Sequence, residues 1–145
     1  ALTDTAAAEG WNIVNEQTAE WNAEKAQQIV QSVIDAGTPF NVIYAENDDM
    51  AKGAVAALDK ANISHGVGKD VIVMGFDCNK WALEELKAGN WNYDGQCNPF
   101  QASYIDEIIK KLENGETISE KTIIMDEKGF DATTITQEDV DNYGI

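Results

Sequence analysis

Arginine is missing from this sequence of 145 residues, and all ten of its basic residues are lysines. Against them stand 26 aspartates and glutamates, which give a formal net charge of −16 at pH 7. A protein that binds nucleic acid must neutralise phosphates with positive charge, and sites for phosphorylated ligands usually use Arg or Lys clamps. The composition therefore argues against both classes of partner, and the charge chiefly favours solubility.

Histidine and cysteine are also scarce, since the sequence contains only His65, Cys78 and Cys97. Neither cysteine has a second ligand at the spacing of a zinc site, so a metal is not expected. Both cysteines follow predicted strands and can approach each other, and an oxidising compartment would allow a disulfide. Otherwise they are small buried fillers, or one of them lines a site. His65 lies in a Ser/Gly loop and is predicted to be solvated.

Long apolar runs are absent as well. No segment approaches the roughly 18 residues that indicate a membrane span. No charged and then apolar leader opens the sequence, so we expect that any signal peptide has been removed or was never present. The length fits one domain with a hydrophobic core.

What the sequence does contain is an alternation of short apolar runs with segments of helical periodicity. The predicted strands are 11–14, 40–45, 70–76, 91–96 and, at an edge, 121–125; the predicted helices are 2–9, 23–36, 49–61, 80–88, 100–113 and one turn from Thr136. Strands that alternate with helices predict a three-layer α/β fold, with a parallel sheet and right-handed crossovers.

Polar residues follow three of these strands, at 47–49, 77–79 and 96–98. In open parallel sheets, ligands bind at the carboxyl ends of the strands, where such segments converge. The segments carry carboxylates and amides, which hydrogen-bond sugar hydroxyls, and an exposed aromatic such as Trp21 covers the apolar face of a sugar ring. They contain no nucleophile–base pair and no phosphate-binding loop, and an enzyme using Asp48 and Asp77 as acid and base lacks an activated partner.

Each of these residues has a structural alternative. Asp48, Asp49 or both are candidates to cap the helix that follows them, and Asp77 is a candidate cap for the next helix. Trp81 and Trp91 are expected to pack in the core. A phospho-acceptor receiver domain also clusters carboxylates at strand ends, but here the acidic pair follows the second strand and no lysine follows a late one, so that fold family is excluded.

The sequence resembles the second half of the type I periplasmic sugar-binding proteins in three segments that follow the family's order: Tyr44–Ala54, Gly68–Asp77 and Cys97–Pro99. These proteins are solute receptors of ABC importers, and the similarity is to the ribose- and galactofuranose-binding group. The resemblance implies an extracytoplasmic receptor that binds a monosaccharide and docks on permease subunits. It implies no cofactor and no catalysis.

The same resemblance implies which residues contact the sugar. Asn47 and Asp77 fall where the family hydrogen-bonds the sugar, and Trp21 falls where ribose receptors stack an aromatic ring. The hinge amide of the family falls on Cys97 or, if the register slips by one, on Gln96. Because side chains alternate along a strand, only one of these two can face the cleft.

The resemblance also implies that the chain is a C-terminal fragment. Residues 1–96 correspond to a partial sugar-binding lobe, residues 97–121 to a hinge and a helix that packs on the other lobe, and residues 122–145 to a returning strand and an acidic tail. The chain then lacks the first lobe and the first strand of the second lobe. It also lacks the arginine that clamps the sugar, which explains why the sequence contains no arginine.

Loss of a central strand has a physical consequence, because it leaves predicted strands 11–14 and 40–45 beside a gap with unpaired backbone groups. We expect the gap to close by re-pairing, by exchange of a segment with a second copy, or by a complementing N-terminal fragment. The apolar face of helix 100–113 is expected to be exposed and to favour self-association.

The alternative function is the effector-sensing domain of a LacI-type transcriptional regulator, which shares this fold and similar motifs. Such regulators add a basic DNA-binding segment that this sequence lacks. The net charge of −16 favours the receptor.

Overall fold

Helices and strands alternate along most of the chain in the computed structural model, which describes residues 2–145. The elements, in order, are α1 Leu2–Glu9, α2 Ala23–Asp35, β1 Val42–Tyr44, α3 Asp48–Lys60, β2 Ile72–Asp77, α4 Lys80–Lys87, β3 Tyr93–Gln96, α5 Ala102–Glu113, β4 Gly129–Asp131 and α6 Gln137–Tyr143. The predicted helices are all present. Among residues 2–145, no helix is long and apolar enough to cross a membrane.

The four strands form one open sheet in the order β1-β2-β3-β4. Strands β1, β2 and β3 run parallel, and β4 is antiparallel to β3. Helix α3 connects β1 to β2 and contacts both strands, while α4 connects β2 to β3 and contacts β3. The predicted α/β class with an open, mainly parallel sheet is confirmed.

Helix α2 packs along α3, and a glycine permits their close approach. A Cβ atom on Gly53 of α3 would lie 2.0 Å from the carbonyl oxygen of Ala23, the first residue of α2. The two backbones therefore touch at a point where only glycine fits. Asn22 caps α2 by accepting a hydrogen bond from the Lys25 backbone N–H, and Gly37 follows the end of the helix with a φ of 67°.

One face of the sheet is covered and the other is largely open. Residues paired in register point to the same face. On the covered face, Val73, Asp94 and Phe130 are buried. The other face, which we call the open face, consists of six large side chains that are exposed or only partly buried: Val42, Tyr44, Ile72, Met74, Phe76 and Tyr93.

Two of the predicted strands are not formed. Residues 11–14 are not in a strand, and Trp11, Ile13 and Val14 are exposed, because no neighbouring strand offers them a ladder of hydrogen bonds. Residues 121–125 are irregular as well, and the last strand is β4, which pairs with β3. The strand at 40–45 is present as β1, but it lies at the edge of the sheet rather than buried within it.

Helix α5 makes little contact with the rest of the fold. Four apolar side chains on it are exposed, which confirms the expected exposure of this face: Tyr104, Ile105, Ile109 and Leu112. The C-terminal α6, by contrast, is anchored. Thr136 and Asp139 form a capping box at its start, and Val140 is fully buried.

Candidate functional site

The carboxyl ends of β1, β2 and β3 place three of the predicted site residues at one edge of the sheet. Asp77 and Gln96 are direct neighbours in the register of β2 and β3. The backbone of Asp48, the residue after Asn47, lies close enough to Asp77 to lower the pKa of its carboxyl group. Asn47, Asp77 and Gln96 are thus brought together, as expected where parallel strands end side by side.

Asn47 is the N-cap of α3. Its Oδ1 accepts a hydrogen bond from the Met50 backbone N–H at 2.9 Å, and its φ of −155° is that of extended backbone. The capping role considered for Asp48 and Asp49 therefore belongs to Asn47. Because the cap uses the oxygen, the amide nitrogen Nδ2 of Asn47 is the atom that is left to donate to a ligand.

Asp48 faces the protein interior. It is 0% exposed, and its Oδ2 accepts hydrogen bonds from the Asn79 backbone N–H at 2.8 Å and from Asn79 Nδ2 at 3.1 Å. Burial raises the pKa of the Asp48 carboxyl, and the bonds from Asn79 oppose that shift. Asp49, one residue further, is exposed.

Asp77 is half-buried at the tip of β2, in a segment with unusual backbone geometry. Its φ is 126° and that of Cys78 is 63°, both in the left-handed region. The capping role considered for Asp77 is wrong, because the N-cap of α4 is Asn79. Burial raises the pKa of the Asp77 carboxyl, the charge of Asp49 raises it further, and the bond from Asp48 opposes both.

Gln96 and Cys97 have different surroundings. Gln96 is half-buried, and its Oε1 accepts a hydrogen bond from the Lys128 backbone N–H at 3.2 Å. Cys97 lies beyond the end of β3 and is exposed. Of the two, Gln96 is the neighbour of Asp77. Both cysteines are free, and Cys78 is buried as a small filler.

Trp21 is exposed over 65% of its surface and has a φ of 60°. It precedes α2 by two residues, and the first residue of α2 touches Gly53 in the second turn of α3. Since Asn47 caps the start of α3, Trp21 lies toward the same end of that helix. Its exposed ring is available to a ligand.

Two other tryptophans, Trp81 and Trp91, and the histidine are all at least partly buried. Trp91 is buried and meets Trp81 edge to face at 5.8 Å, so both pack in or against the core as expected. The prediction of a solvated His65 is wrong, because its side chain is only 13% exposed. Its Nδ1 lies 2.9 Å from the Asn90 carbonyl oxygen and its Nε2 lies 3.1 Å from Asp59 Oδ1, so it ties its loop to two other segments.

The chemistry of this edge is that of hydrogen bonding. It offers a half-buried carboxylate, an amide donor and a nearby exposed indole. Among residues 2–145, no three or more His, Cys, Asp or Glu side chains are grouped so as to hold a metal ion. The arrangement can bind a polar, uncharged ligand with several hydroxyl groups.

Known proteins are similar to this chain in sequence and in fold. The periplasmic binding protein domain family matches residues 1–117. The fructose import binding protein FruE of Bifidobacterium longum is 31% identical over 132 residues, which are 90% of this chain and 38% of that protein. The ribose import binding protein RbsB of Bacillus subtilis is 32% identical over 75 residues, which are 52% of this chain and 23% of that protein.

Solved structures extend the likeness over nearly the whole chain. An ABC transporter periplasmic solute binding protein from Actinobacillus succinogenes 130z, with bound D-allose, is 30% identical with a TM-score of 0.78 and covers 99% of this chain and 48% of its own. The chain thus spans about half the length of that solute binding protein. It spans less than half of the fructose and ribose import binding proteins above. A galactofuranose binding protein, 22% identical with a TM-score of 0.83, shares the fold. Since the family match covers most of the sequence, the chain belongs to the periplasmic binding protein domain family.

Proposed function

We propose that this chain is the C-terminal, sugar-contacting part of the solute receptor of an ABC sugar importer, and that Asn47 and Asp77 bind a monosaccharide. The observation that carries the proposal is the meeting of these two residues at the carboxyl edge of the parallel strands. Two relatives agree with this proposal, because they are import binding proteins for fructose and ribose.

The two side chains suit a sugar in complementary ways. The Asp77 carboxylate accepts hydrogen bonds from two adjacent hydroxyls, and Asn47 Nδ2 donates to a third oxygen. Partial burial of Asp77 strengthens these bonds relative to those of a fully solvated carboxylate. Trp21 would cover the apolar face of the ring, and Gln96, rather than Cys97, is the neighbour at the hinge side.

In the complete receptor we assign residues 1–96 to the sugar-binding lobe, residues 97–121 to the hinge and a helix that packs on the other lobe, and residues 122–145 to the return and tail. The exposed apolar side chains of α5 support this division. The sugar would be buried by closure of two lobes, outside the cytoplasm, before the receptor docks on its permease.

The open face and α5 predict that the isolated chain associates, with itself or with a complementing N-terminal fragment. Both surfaces expose several large apolar side chains, and exposed apolar patches on a protein mark places where another molecule packs. Mass measured in solution by light scattering should exceed that of one chain at micromolar concentrations. A stable monomer would contradict this part of the proposal.

The test of the function is a thermal-shift and calorimetric screen of pentoses and hexoses against the complete receptor. At least one monosaccharide should raise its melting temperature and bind with measurable heat. The 145-residue chain alone should bind the same sugar much more weakly, because the other side of the clamp is missing. Absence of any monosaccharide binding by the complete receptor would refute the proposal.

A further inference from the structure

Behind the strand ends lies a buried pair of acidic side chains that the sugar contacts do not use. Asp48 begins α3 and Asp94 lies in β3, and both are 0% exposed. We propose that Asp48 and Asp94 share one proton and act as positioning residues, holding the strand end Asp77–Asn79 in the shape that the candidate sugar site requires. The role in sugar binding rests on the proposed function, whereas the shared proton does not.

Space for the pair is made by a glycine in β2. Gly75 is the direct neighbour of Asp94 in the register of β2 and β3. A Cβ atom on Gly75 would lie 2.6 Å from Asp48 Oδ1, so this oxygen lies directly above Gly75 and beside Asp94. The two carboxyl groups are close enough to hydrogen-bond each other.

The two carboxyl groups have more acceptor oxygens than the surrounding donors satisfy. Asp48 Oδ2 accepts the two bonds from Asn79, and Asp94 Oδ1 accepts a bond from the Cys78 thiol at a distance of 3.8 Å. The other two oxygens, Asp48 Oδ1 and Asp94 Oδ2, are buried and without a partner. A carboxylate has no hydrogen to give, so a proton held by one of the two carboxyl groups supplies the donor that the pair lacks.

The surroundings favour retention of that proton. Burial raises the pKa of Asp94 most strongly, and the adjacent Asp48 raises it further. The other titratable groups that act on the pair are Asp77, whose charge also raises both pKa values, and Cys78. Burial likewise raises the pKa of the Cys78 thiol, so it remains a neutral donor to Asp94. Two adjacent like charges in a buried site are strongly unfavourable, and one proton removes that repulsion.

Asn79 connects the Asp48–Asp94 pair to the end of β2. Asn79 is bound to Asp48 by both its backbone and its side chain, and it follows directly on Asp77 and Cys78, whose backbones are left-handed. Such conformations persist only where the surrounding structure holds them. When the proton leaves, repulsion between Asp48 and Asp94 should loosen this anchor and release the strand end that carries Asp77.

The direction of the pH dependence follows from linkage. In the unfolded chain these aspartates ionise near pH 3.9, whereas the folded pair keeps a proton to higher pH. The stability that the shared proton contributes is therefore complete below about pH 4 and is lost as the pH rises through the folded pKa. Folded Asp94 has a pKa raised to about 8, so the loss is expected between about pH 4 and 8.

The test compares Asp94→Asn with the unmodified chain. Asn at this position keeps the shape, and its Nδ2 donates to Asp48 Oδ1 without any proton to lose. Between pH 5 and 9, the melting temperature of the unmodified chain should fall relative to Asp94→Asn by about 3 °C or more. The exposed control Asp126→Asn should show no such divergence. Parallel curves for Asp94→Asn and the unmodified chain would overturn the proposal.

A spectroscopic measurement separates positioning from stability alone. The ¹³C signals of the Asp48 and Asp94 carboxyl groups should titrate well above about pH 3.9, where an unperturbed aspartate ionises. The amide signal of Asn79 should move with the same midpoint and stay fixed in Asp94→Asn. Ordinary titration of both carboxyl groups, or an Asn79 signal that ignores them, would overturn the inference.

Sugar binding is tested in the complete receptor, with D-ribose, D-fructose and D-allose as probes. Affinity for the sugar that binds should fall as the pH rises toward 9 in the unmodified receptor and stay level in Asp94→Asn. A pH dependence that is equal in both would overturn the positioning role. If no monosaccharide in a wider screen binds, the proposed function is refuted. The titration of Asp48 and Asp94 would still show whether they share a proton.

Discussion

Replacing Asp77 with alanine should lower the sugar affinity of the complete receptor by about a hundredfold or more. A hydrogen bond to a charged group contributes about 1.5–3 kcal/mol, and Asp77 is placed to accept two of them from adjacent hydroxyls. Because the carboxylate is half-buried, water replaces these bonds poorly in the variant. Isothermal titration calorimetry with the best sugar from the screen measures the loss.

Asp49→Ala is the matched control for this variant. Asp49 lies close enough to raise the pKa of Asp77, but it is exposed and lies in the first turn of α3. Its removal should change the sugar affinity only slightly, since a surface charge contributes little through water. Equal losses in Asp77→Ala and Asp49→Ala would show that only the general negative charge of this edge matters.

Gly75→Ala should lower the stability of the fold markedly. The new Cβ would lie 2.6 Å from Asp48 Oδ1 and 2.7 Å from Cζ3 of the buried Trp91 ring. Neither neighbour has room to move, because both are buried on the covered face. Overpacking of this kind lowers the free energy of unfolding by about 1–3 kcal/mol, and we expect the upper end of that range.

Urea unfolding, followed by the fluorescence of the tryptophans, measures this change. Ile72→Val is the control, because Ile72 lies in the same strand but is exposed on the open face, and its loss of one methylene should change the unfolding free energy little. A Gly75→Ala chain as stable as the unmodified one would mean that Asp48 does not lie above Gly75.

Much of the fold could be predicted because its signals are local. The helical periodicity of α2 and α3, the glycine after α2 and the capping box of α6 each depend on residues within a few positions of one another. Strands 11–14 and 121–125 were mispredicted for the opposite reason. A strand needs a partner, and whether residues 11–14 or 121–125 find one is decided by segments far away in the sequence.

The candidate site, like the fold, could be predicted only where its signals are local. The polar strand ends are visible in the sequence, but not which residue of Asn47, Asp48 and Asp49 points inward. That choice depends on Gly75 and Asp94, which come from two other strands. A glycine inside an apolar strand was the available signal, since it marks a close approach of another group.

The most direct test of the account is a crystal structure of the complete receptor with the monosaccharide that the screen selects. We predict that sugar hydroxyls lie about 2.7–3.2 Å from the Asp77 carboxylate and from Asn47 Nδ2, at the carboxyl edge of β1 and β2. A sugar bound elsewhere, with neither Asn47 nor Asp77 in contact, would contradict the central claim.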